Sequence, residues 1–150
     1  MTKAIYAILA VTATILLSSC TKDTLEVSFS DDEIIGRDLS AGAEAALFEA
    51  QTEAGTCTLA CEAATYRDNG TLAVRLWKVE DGQATEPLKV ITANVGEDAG
   101  EAAAYIDVDA TPWAEGFIRE NGLGENTGRA RVKGTHLYLL YKFHLEKFNI

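Results

Sequence analysis

Positive charge is scarce in this chain: 13 Lys and Arg stand against 23 Asp and Glu in 150 residues, a formal charge of −10. A surface of that sign repels polyanions, so nucleic-acid binding is excluded first. Long apolar runs are missing too. The longest, Ala4 to Leu17, has 14 residues, and a membrane-spanning helix needs about 20. No internal repeat is present, and no G-x-S-x-G, H-E-x-x-H or P-loop motif. The only two histidines, His136 and His144, lie near the C-terminus, while Ser28, Ser30 and Ser40 lie near the other end. No serine therefore stands near a histidine in the sequence, and among so many acids nothing selects one carboxylate pair. We expect no catalytic residues, no cofactor and no metal centre: the chain does not read as an enzyme.

What is present begins at the N-terminus. Lys3, the apolar run, and Leu17-Ser18-Ser19-Cys20 follow one another as an export signal does. The closing tetrapeptide resembles the lipobox of bacterial lipoproteins, in which small residues fit the signal peptidase and the cysteine receives a diacylglycerol. That resemblance implies a signal peptide over 1–19 and an acylated Cys20 with a tether over 20–24, which leaves 25–150, expected from the patterns below to be a single β-rich domain. It also implies attachment to a membrane of the cell envelope, expected to be the outer membrane, through lipid such as palmitate. The opening with Cys20-Thr21-Lys22-Asp23 is similar to small lipoproteins of Bacteroidetes-type bacteria, among them the pilin-like fimbrillins, which are β-sandwiches. Asp23-Thr24-Leu25 resembles the O-glycosylation acceptor of such bacteria, which makes Thr24 a candidate glycosylation site.

Removing the signal leaves 131 residues carrying 30 Leu, Ile, Val and Phe, enough apolar material for one folded domain. Leu25 to Phe29 alternates as a half-buried strand does. Asp38 or Ser40 can cap a helix, and Ala43, Ala46, Leu47, Ala50 and Ala54 recur at helical spacing, which predicts an N-terminal helix over 41–54. Asn69-Gly70 predicts a hairpin with a type I′ turn, in which Thr65 faces Val74, Glu62 faces Trp77, and Arg75 lies diagonal to Glu62. Glu80 to Gln83 reads as a second tight turn, followed by a strand over 88–95 with Pro87 at its start. Further strands are expected over 103–108, 129–133 and 136–148. In the last, Leu137, Leu139, Tyr141, Phe143 and Leu145 share one face. Trp113 to Asn121 can form a short helix ended by Gly122. The resulting class is mainly β with one N-terminal helix, an antiparallel β-sandwich or small barrel.

Four groups of residues are open to a functional reading. Cys57 and Cys61 form either a disulfide, as export allows, or two small buried thiols; about 13 Å would separate their Cα atoms on a strand, and a bond needs about 7 Å or less. Asp107-Val108-Asp109 and the Glu97, Asp98 and Glu101 group read as solvated turns rather than as calcium ligands, because Pro112 stands where an EF-hand loop requires Gly. Residues 127–150 hold five bases and one acid, so Arg129, Arg131 and Lys133 either meet an acidic partner or pair with acidic neighbours in the same domain. Trp113, Phe117 and Ile118 form a candidate binding loop, or else the lid of the core. The reading is a non-enzymatic binding module for protein or glycan. The alternatives are a minor or truncated pilin-like subunit, or an inhibitor or immunity protein against an envelope enzyme.

Overall fold

The computed structural model describes residues 34–41, 45–52, 55–96 and 99–148. The lipobox with Cys20, Thr24, and the strand expected over 25–29 lie outside the described residues. Two antiparallel sheets face one another as a sandwich, and neither closes into a barrel. The first sheet contains β1 (Ile34–Ile35), β2 (Leu47–Thr52), β3 (Gly55–Tyr66), β4 (Leu72–Glu80) and β5 (Gln83–Val90). Both β1 and β2 pair with β3, and the order runs on through β4 to β5. The second sheet has the order β6 (Thr92–Ala93), β7 (Ala103–Asp107), β9 (His136–Phe143), β8 (Gly124–Lys133).

Alternation decides which side chains fill the space between the sheets. Cys57, Leu59 and Cys61 of β3, Val74 and Leu76 of β4, Ile106 of β7, and Tyr141 and Phe143 of β9 form one buried cluster. A helix, α1 (Ala114–Glu120), adds Phe117 and Ile118 to the same cluster. After β9 a 3-10 turn over Leu145–Lys147 ends the strand earlier than expected and tucks Phe148 against Phe143, ring centroids 6.3 Å apart.

Among the described residues the single α-helix is therefore C-terminal to most of the strands, and the helix expected over 41–54 is replaced by β2. Its alanines do recur at helical spacing, but Leu47 to Thr52 pairs residue for residue with Ala60 to Gly55. Burial of Ala50 against the core outweighs a helix propensity of a few tenths of a kcal/mol per residue. The capping signal is real but short-lived: Ser40 donates its N–H to Asp38 Oδ1 at 2.9 Å, starting only the 3-10 turn Leu39–Ala41.

Both expected turns connect hairpins, but the type I′ geometry expected at the first is found at the second. Asp81 and Gly82 take φ of +53° and +76° in a two-residue connection, the pair of positive angles that type I′ requires. At the first hairpin only Gly70 has positive φ. Tyr66 N–H donates to Thr71 O and Gly70 N–H to Tyr66 O, closing a four-residue loop. The β3–β4 register is consequently two residues away from the expected one, with Thr65 opposite Leu72 and Ala63 opposite Val74. A slip of two keeps every side chain on its expected face. Pro87 sits inside β5, not at its start, next to a register shift on an edge strand, where a missing N–H does least harm.

Candidate functional site

Cys57 and Cys61 share the inner face of one extended strand, and Cys61 is a free, buried thiol. A bond between the two is excluded because four residues of strand hold the backbones too far apart. Burial pushes the Cys61 thiol well above its ordinary range, which makes it inert rather than nucleophilic. Two of the three residues of the candidate binding loop are likewise removed from the surface, and Trp113 is half-buried. Phe117 is 2% exposed and Ile118 fully buried, while Trp113 packs edge-on against Phe117 at 5.9 Å between ring centroids. Helical spacing inside this segment turns those side chains inward, where α1 closes the sandwich beside β2 and β8.

A buried polar network lies on the outer face of the first sheet. Glu62 and Arg75 stand directly opposite one another, with side chains 1% and 6% exposed. Arg75 Nε donates to Glu62 Oε1 at 2.5 Å, and Trp77 Nε1 donates to the same oxygen at 2.9 Å. The other carboxylate oxygen accepts the Arg37 backbone N–H. The Arg75 guanidinium also donates to Arg37 O at 3.1 Å and stacks over the Trp77 ring at 5.1 Å. An open cleft of about 360 Å³ runs beside it, lined in part by Arg37, Asp38, Ser40 and Thr85. The hydrogen bonds of Asp38 to Ser40 hold its carboxyl below the usual range. These groups satisfy one another and fasten the segment before β2 to the sheet. The sequence offered Glu62 and Arg75 only as an exposed diagonal pair, because nothing local reveals that residues 34–41 cover them.

At the edge of the sandwich a second cluster forms. Asp107, Asp109 and His136 present ligand-type atoms within 4.8 Å of one another. His136 Nδ1 lies 2.7 Å from Asp107 Oδ2, Asp107 Oδ1 accepts the N–H groups of Asp109 and Ala110 at 3.0 Å each, and Asp109 Oδ2 accepts the Leu137 N–H at 2.8 Å. The bonds account for the cluster as a clasp between the loop after β7 and the start of β9. Nearby Lys89 is 8% exposed; burial lowers its pKa, and the Asp107 charge opposes that shift. On the inner face, Tyr141 donates to Glu115 Oε2 at 2.5 Å, joining β9 to α1. Burial first, and then Glu115, hold that hydroxyl well above its ordinary range.

The surface that remains open is β8. It ends the second sheet, is ten residues long, and is exposed from Glu125 to Lys133. A register shift between Asn126 and Ala130 separates its inner half from its outer half. Thr127 Oγ1 holds that irregularity by donating to Leu140 O at 2.9 Å. In the outer half Arg131 is opposite Tyr138 and Lys133 opposite His136, whereas Ala130 is opposite Leu139 and Val132 opposite Leu137. One face of the hairpin is thus basic and the other apolar. Leu139 still packs on the core, but Leu137 is 37% and Val132 71% exposed, because the first sheet does not extend over them. Among the described residues neither Arg129 nor Lys133 makes an ion pair, so pairing with acidic neighbours does not account for these two, whereas Arg131 has a partner. The sequence signalled the basic alternation, and the exposed Val132 and Leu137 follow only from the sheet order.

No curated protein and no solved structure matches this chain. Residues 60–149, more than half of the chain, match the model of a family described as a domain of unknown function, DUF4313. The match takes in β4 to β9 with the clasp and the open hairpin, and on it the chain belongs to the DUF4313 family.

Proposed function

We propose that this chain is a lipid-anchored cell-envelope protein that acts without catalysis, as a binding module that offers the β8–β9 hairpin to a protein with an acidic surface. The observation that carries this reading is β8: an open, basic edge strand on a strongly acidic chain. Complementary charge raises the rate of encounter and selects among partners. Burial of Phe117 favours a protein over a glycan, since it takes that ring out of reach of a sugar. The same edge suits a pilin-like subunit as the second reading; the mass of the chain in solution separates the two, monomer for a module and polymer for a subunit.

The test is a triple charge reversal, Arg129→Glu with Arg131→Glu and Lys133→Glu, used as bait in envelope extracts at low and high salt. The parent chain should retain a partner at low salt and release it at high salt. The reversed chain should retain none while remaining folded, since exposed substitutions usually change stability by about 0.5 kcal/mol or less each. Equal capture by both chains would refute a binding role for this hairpin.

A further inference from the structure

We propose that the outer half of β8 binds by strand addition, and that its occupant is an extended protein segment in which acidic and apolar residues alternate. This deepens the binding reading above and rests on it. Three observations lead to it. β8 is the terminal strand of its sheet, so the backbone groups directed away from β9 meet no other described strand. The irregularity at 127–129 interrupts the ladder, leaving residues 130–133 as a regular rung beyond it. The two faces of that rung differ in chemistry: Arg131 and Lys133 on one, Ala130 and Val132 with Leu137 and Leu139 on the other.

An added strand sends successive side chains to opposite faces. A segment reading acidic, apolar, acidic, apolar would lay its carboxylates beside Arg131 and Lys133 and its apolar groups beside Val132 and Leu137. Main-chain hydrogen bonds would supply affinity and the two faces specificity, as in other recognition by added strands. The same charges exclude the commonest unwanted occupant. Two β8 edges from separate copies would bring Arg and Lys against Arg and Lys, and like charges across a ladder repel. A basic edge of this kind is closed to itself and open to an acidic strand.

The experiment titrates the detergent-solubilised full chain into labelled heptapeptides with blocked ends and follows fluorescence anisotropy. The probes are Glu-Val-Glu-Val-Glu-Val-Glu, its block isomer Glu-Glu-Glu-Glu-Val-Val-Val, and two forms of the alternating peptide N-methylated on every Glu or on every Val. The alternating peptide should bind about tenfold more tightly than the block isomer. Only one N-methylated form should lose binding, because only alternate N–H groups of an added strand point to its neighbour. Equal binding of the two isomers, or equal loss in both methylated forms, would overturn strand addition while leaving attraction by charge in place. Absence of binding by every peptide, with the triple charge reversal also silent in the extract experiment, would overturn the binding reading itself.

Discussion

Glu62 accepts from Arg75, Trp77 and the Arg37 backbone at once, so its carboxylate compensates a guanidinium that has left water. Removing one partner of such a pair leaves the other buried and uncompensated, at about 3–5 kcal/mol. Glu62→Ala should therefore lower the free energy of unfolding by that amount and shift the denaturation midpoint down with it. Replacing both partners together, Glu62→Leu with Arg75→Met, should recover most of the loss; an unchanged midpoint in the single variant would show that the network contributes nothing. Gly36 belongs to the same arrangement, since a Cβ there would run into Glu62 Oε2. Lys89 poses the opposite case, a buried cation whose charged form the fold disfavours through desolvation, so its pKa falls below the ordinary 10.5. The unfolded chain then holds the proton more tightly than the folded one, and stability from this group rises with pH between the lowered value and 10.5. Lys89→Met should melt higher than the parent at neutral pH. That advantage should shrink as the pH approaches 10.5, and a constant difference across the range would exclude Lys89 as its source.

Periodicity of two identified some strands and missed others. Ala103 to Asp107 and the start of β9 fall where alternation puts them, and the short helix α1 ends at the Asn121-Gly122 signal. β2 was illegible for a physical reason: its alanines satisfy a helical pattern locally, and only pairing with β3 overrides it. The clasp of Asp107, Asp109 and His136 was hidden in the same way, because it needs β7 beside β9 and strand order is not written in either strand. The two hairpin connections differ in what they ask of the chain. Gly82→Ala forces a side chain into positive φ at a cost of about 1 kcal/mol, whereas Asn69 has no positive φ to relinquish and loses only exposed bonds to Thr71 and Asn94. Gly82→Ala should therefore destabilise more than Asn69→Ala in urea titrations, and the reverse order would place the type I′ turn at Asn69-Gly70 after all. For α1 the deciding substitution is Phe117→Ala. Its ring lies among the core residues of both sheets, so a loss of about 3–5 kcal/mol is expected; near-parent stability would return Phe117 to the candidate surface.

Charge and anchorage meet in the behaviour of the entire chain at a membrane. With a formal charge of −10, the folded body is repelled by the anionic headgroups of a bilayer, and the basic hairpin is too small a part of the surface to reverse that sign. No described helix is long and apolar enough to cross a membrane. In the proposed function, attachment therefore depends on acyl chains at Cys20, each buried CH₂ contributing about 0.8 kcal/mol and two or more chains holding stably. The consequence can be measured by fractionation. Cys20→Ser should move the protein wholly out of the membrane fraction at every salt concentration, because no electrostatic contact remains for salt to weaken. It should also abolish incorporation of radiolabelled palmitate. Membrane retention of Cys20→Ser that salt removes would assign anchorage to the basic hairpin instead, and palmitate still entering the variant would refute Cys20 as the acylated residue.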